Sequence, residues 1–114
     1  FHKRSWDDPE VYASMLEGRQ GASEDPNPQP LHGVHGQAAA CINHSTLDQL
    51  KNITAPALVI GGEADVFTPR WMAEEIDAEL PNSTLHLYPE SGHAFHWENL
   101  DDFNQRVIDF INAN

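Results

Sequence analysis

The sequence has no apolar run approaching the roughly 18 residues that a membrane-crossing helix requires, so no transmembrane span is expected. The first residues, FHKRSWDD, have no apolar stretch behind them, and no signal peptide is expected either. The chain also lacks a starting Met, which suggests a trimmed or excised polypeptide. Cysteine is nearly absent. The lone Cys41 cannot form an internal disulfide, and this points to a reducing, cytoplasmic compartment. No Cys pair is available to anchor a metal, and no cofactor is expected. Basic residues are scarce, with 6 Lys and Arg against 18 Asp and Glu, a formal charge of −12. Such a chain repels phosphate backbones and anionic lipid, so neither nucleic acid nor membrane is an expected partner. No internal repeat is visible.

The 114 residues suffice for one domain, and the hydrophobic share of 39% permits only a modest core. The composition changes near residue 50. Residues 1–50 read as a helical segment, polar and punctuated. Asp8-Pro9 opens a helix over PEVYASMLEGRQ, with Val11, Met15 and Leu16 at helical spacing and Gly18 or Gly21 as its end. GASEDPNPQP holds three prolines and reads as a loop. HGVHGQAAACINH predicts a second helix through its alanine run, and STLDQLKNI a further helical turn.

Residues 51–114 read as strand, loop, helix, strand, loop, helix. ALVIGG is a short apolar run closed by glycines, which suits a strand buried on both faces. Thr68-Pro69 predicts a helix start, with the threonine hydroxyl as cap. The helix RWMAEEIDAEL then sets Met72, Ile76 and Leu80 on one face and Glu74, Glu75, Asp77 and Glu79 away from it. STLHLYP alternates as a second strand. A single final helix is expected to carry Leu100, Phe103, Val107, Phe110 and Ile111 on one stripe. A helix between two strands is long enough for a parallel crossover, so the class is α/β.

In an open parallel sheet, functional groups gather at the carboxyl ends of the strands. Two polar loops belong there. One holds Glu63 and Asp65, the other Ser91 and His93. Parallel neighbours bring both loops to one edge, where a carboxylate can fix an imidazole tautomer and stabilise the imidazolium. APALVIGGEADVFTP followed by LPNSTLHLYPESGHAFHWENLDDFNQRVIDFI resembles the C-terminal end of an α/β-hydrolase. In that family the acid sits in a G-x-x-D-x-x-x-P setting, here filled by Gly62, Asp65 and Pro69, and the histidine in a Gly-His pair, here Gly92-His93. GVHGQAAACINHSTLDQLKNI is similar to the end of the helical cap that leads into the acid strand.

The resemblance implies a C-terminal fragment of a hydrolase sheet: two parallel strands with a crossover and C-terminal helices, preceded by cap remnants. It also implies catalytic roles for Asp65 and His93 and a small-molecule substrate with an ester, lactone, amide or similar bond. The nucleophile is missing. None of the serines at 5, 14, 23, 45, 83 and 91 lies in a G-x-S-x-G elbow, and Cys41 falls in a helix. The fragment alone is therefore expected to be inactive: it is the C-terminal portion of a larger hydrolase or, alternatively, a non-catalytic, self-associating structural or binding module derived from one.

Other readings of these residues stay open from sequence. His93 could be a solvated loop histidine, Asp65 a turn residue at a helix start, and Glu63 the acid in its place. Phe67 and Trp97 could line a substrate pocket or simply pack. His86, His93, His96 and Glu98 invite a zinc reading, but only His93 and His96 have ligand-like spacing, and no metal is expected. Two strands alone are marginal in water and leave an edge open to another chain, so homo-oligomerisation through that edge or through swapped elements is expected.

Overall fold

The computed structural model describes residues 1–114. Six α-helices and two strands follow in chain order. They are α1 (Lys3–Asp7), α2 (Pro9–Ser23), α3 (Leu31–Asn43), β1 (Ala57–Gly62), α4 (Arg70–Glu79), β2 (Ser83–Tyr88), α5 (Phe95–Glu98) and α6 (Leu100–Ala113), with a 3-10 turn at Leu47–Asn52 before β1. The strands pair in parallel, from Ala57 against Ser83 to Gly62 against Tyr88. Bonds from Ala57 N–H to Asn82 O and from Glu63 N–H to Tyr88 O extend the ladder at either end. Both strands thus finish at one edge, and α4 forms the crossover between them.

Several elements depart from the sequence reading, each for a local reason. Helix α2 runs past Gly18 and Gly21 to Ser23 and ends just short of Asp25-Pro26, a pair that disfavours helix. Helix α1 was not anticipated. Its five residues are too few to show a period, and Asp8 both ends it and caps α2 by accepting from the amides of Glu10 and Val11. Thr68 does not cap α4: Pro69 occupies that place with no side-chain bond, and the threonine hydroxyl is used elsewhere. The single final helix is two, broken at Asn99, whose side chain donates to Phe95 O and to the Ser91 hydroxyl.

The apolar stripes are incompletely covered. Strand β1 is half-buried rather than buried, since it has one strand neighbour instead of two. On α4, Met72 and Ile76 remain exposed, and Asp77, expected to face solvent, accepts the Ser83 hydroxyl. Leu100 and Ile111 on α6 are also exposed. The radius of gyration is 17.0 Å, against about 13 Å for a packed domain of similar length. Only six residues are buried, and Tyr88 is the one large hydrophobic among them. The others are Ser5, Gly62, Asp65, Ser91 and Gly92, all at or against the carboxyl edge of the strands. No helix is long and apolar enough to cross a membrane.

Candidate active site

The site is built where the two strand tips meet. Beyond Gly62 the chain turns, and Asp65 closes the turn with its own side chain. Its Oδ1 accepts from the amides of Phe67 at 2.8 Å and Thr68 at 3.2 Å. Its Oδ2 accepts from the Thr68 hydroxyl at 2.6 Å and from His93 Nδ1 at 2.8 Å. The Asp65 side chain is 1% exposed. Burial alone would raise its pKa, but the bonds from Thr68, His93 and the two amides outweigh burial and lower it to about 2. The carboxylate is therefore ionised and can only accept, so Nδ1 of His93 carries the proton.

His93 reaches Asp65 because the two loops are stitched together. Ala64 N–H donates to Ser91 O at 2.9 Å. A β-carbon on Gly62 would lie 2.4 Å from the carbonyl oxygens of both Ser91 and Gly92, so only glycine permits this approach. The turn out of β2 is made at Glu90, which takes φ of 51°, a left-handed conformation. The amide of Gly92 donates to Glu98 Oε2 at 2.9 Å. The His93 side chain is 58% exposed, and its Nε2 makes no hydrogen bond. Phe67 sets its ring edge-on to the imidazole, centroids 5.5 Å apart. The pair can orient a base whose free nitrogen is open to a reactant.

The remaining candidates fall elsewhere. Glu63 lies 3.8 Å from Arg70 and does not touch His93. Ser91 is fully buried. Its hydroxyl accepts from Arg4 Nη2 at 3.0 Å and Asn99 Nδ2 at 2.8 Å and donates to Pro89 O at 3.4 Å, which fills its bonding capacity. It is a structural pin rather than a nucleophile. Cys41 is exposed on α3. The four zinc candidates do not converge: His86 packs edge-on to Tyr88, His96 against Phe95, and Glu98 holds the Gly92 amide. Trp97 lines an open groove of about 890 Å³ with Phe1, Trp6 and Met15, while Phe67, Asp65 and His93 lie outside its lining.

Sequence reasoning missed Thr68 as a partner of Asp65, weighed Glu98 only as a metal ligand and not as the partner of Ser5 and His2, and missed Arg4 and Ser5 altogether. The first had a signal, a threonine three residues after a turn aspartate. The others are joined across the length of the chain and have none.

A family model, the dienelactone hydrolase family, matches residues 21–109. The chain belongs to the dienelactone hydrolase family. Over 63 residues it is 41% identical to 2-hydroxy-6-oxononadienedioate/2-hydroxy-6-oxononatrienedioate hydrolase 1 of Dechloromonas aromatica, covering 55% of this chain and 22% of that protein. Over 62 residues it is 39% identical to the human serine hydrolase BPHL, covering 54% of this chain and 21% of that one. The chain thus spans only about a fifth of the length of these relatives. Its backbone superposes on the structure of Rv0554 from Mycobacterium tuberculosis with a TM-score of 0.82 at 26% identity, covering 99% of this chain and 40% of the other. This member of the dienelactone hydrolase family is the C-terminal part of an α/β-hydrolase fold.

Proposed function

We propose that the chain supplies the acid and base of a hydrolase acting on an ester, lactone, amide or similar bond of a small molecule, with the nucleophile contributed by polypeptide outside residues 1–114. The bond between Asp65 Oδ2 and His93 Nδ1 at 2.8 Å carries this reading. With Nδ1 protonated and held, Nε2 is the basic nitrogen. It takes the proton of an attacking hydroxyl as that oxygen bonds to the substrate carbonyl carbon. It then returns the proton to the leaving group as the substrate bond breaks. Asp65 orients the ring and offsets the charge of the imidazolium. Water repeats the cycle to release the acyl group.

Support comes from two sides. The family is named for hydrolysis of a lactone, one relative for hydrolysis of a 2-hydroxy-6-oxo dienedioate, and another as a serine hydrolase. Phe67 gives an apolar cover beside the imidazole. The test is turnover of p-nitrophenyl acetate. The 114-residue chain should not exceed the background of free imidazole. A longer polypeptide with a G-x-S-x-G strand upstream should turn over the ester and lose that activity in His93→Ala. Activity of the short chain that depends on His93 would refute the missing nucleophile.

A second reading is favoured by the exposed apolar surface, which includes Val66, Ile42, Leu31 and Ile111. In it the chain is a non-catalytic, self-associating module that keeps the Asp65–His93 pair as a relic. An extended polypeptide with neither the nucleophile motif nor turnover would favour this alternative.

A further inference from the structure

Asp65 is held by its own loop, but His93 is not. The two residues before it, Ser91 and Gly92, are buried and anchored from a distance. Ser91 is pinned by Arg4 and Asn99. Gly92 is pinned by Glu98, whose Oε2 accepts the Gly92 amide at 2.9 Å, while Oε1 accepts the Ser5 hydroxyl at 2.7 Å and the His2 amide. Ser5 is itself buried, on α1. Glu98 is thus the joint between α1, which lies at the start of the chain, and the peptide that leads directly into the histidine.

We propose that Glu98 is a positioning residue for His93: its carboxylate ties the Gly92 amide to Ser5 of α1 and so fixes the alignment of His93 Nδ1 on Asp65. The geometry offers little other restraint. Beyond the Asp65 bond, the imidazole has only an edge contact with Phe67 and a 3.5 Å approach to the Thr68 hydroxyl. If Gly92 moves, the ring follows. The carboxylate stays ionised to do this, because the bonds from Ser5, His2 and Gly92 overcome the opposing effect of burial and lower its pKa. The inference rests on the reading of Asp65 and His93 as an acid–base pair.

The test reads the imidazole directly, by nitrogen-15 NMR of the histidines in the 114-residue chain at a pH where His93 is neutral. A free neutral imidazole favours the Nε2–H tautomer, and pairing with Asp65 enforces Nδ1–H. Wild-type chain should show His93 mainly as Nδ1–H, and Asp65→Asn should reverse it. Glu98→Gln keeps the shape but turns one acceptor into a donor, and should shift the dominant His93 signal to Nε2–H. Ser5→Ala removes one donor from Glu98 and should produce a smaller shift in the same direction, which keeps the test decisive if Glu98→Gln does not fold. A role confined to stability would lower the melting temperature of both variants and leave the tautomer unchanged, and that result overturns the inference. Wild-type chain that shows Nε2–H, unaltered by Asp65→Asn, would instead remove the acid–base pair itself, and the inference with it.

Discussion

Asp65 accepts four hydrogen bonds on a side chain that is 1% exposed, and its ionised form is what those donors require. The folded pKa, about 2, lies below the ordinary value of 3.8. A group whose folded pKa is depressed binds fewer protons when folded, so it contributes stability above the ordinary pKa and loses it as pH falls. The contribution, on the order of 2 kcal/mol, should be complete above about pH 4 and disappear toward pH 2. Urea denaturation of wild type and Asp65→Asn across that window checks it: the wild-type curve should fall steeply with acid, and the variant should be flatter. From the local pattern alone Glu63 and Asp65 were equal candidates in the loop between a glycine-closed apolar run and a helix; the resemblance carried by Gly62, Asp65 and Pro69 singled out position 65. What a reading of residues could not supply is the number of donors, since the Thr68 hydroxyl reads equally well as a helix cap.

At the scale of elements, the meeting of β1 with the histidine loop leaves no space for a side chain. A β-carbon at Gly62 would stand 2.4 Å from two carbonyl oxygens, and backbone cannot swing aside as a side chain does. Gly62→Ala should therefore destabilise the chain by about 2 kcal/mol or more and part the loop from the strand. A thermal melt combined with amide exchange at Ala64, whose N–H is bonded to Ser91 O, would register both effects. The two strands, the crossover helix and their parallel sense were legible because each has its own local pattern: alternation, a closing glycine, a four-residue apolar step. Helix α1 was not, for it is one turn long and its partners Ser91, Glu98 and Asn99 lie some 90 residues away. The break at Asn99 was hidden for a similar reason, since the bond from its side chain to the Ser91 hydroxyl leaves no mark in the local pattern.

At the scale of the whole molecule, apolar surface and charge oppose one another. Large hydrophobic side chains on α2, α3, α4 and α6 are exposed, and β2 is the only strand paired with β1. These faces fit the coverage of about 40% of a structural relative, whose remaining chain has no counterpart here. Left alone, such surface favours association, while a charge of −12 on each copy resists it. We therefore propose that the isolated chain self-associates through its open edge or exchanged elements, and does so more strongly as salt screens the repulsion. Sedimentation at low and high ionic strength should show the average mass rising with salt and with protein concentration. A monomer of fixed mass under all conditions would reject the idea. The sequence foretold the acidic surface but not which apolar stripes would lie bare, because their expected covering belongs to no element of this chain.

The six buried residues comprise two serines, two glycines, one aspartate and one tyrosine. An interior of that kind is held by angle more than by volume. Methyl groups tolerate sliding past one another, whereas a hydrogen bond weakens steeply once its donor tilts. Warming such a centre should degrade direction first, with the imidazole drifting out of line while the helices around it are still wound.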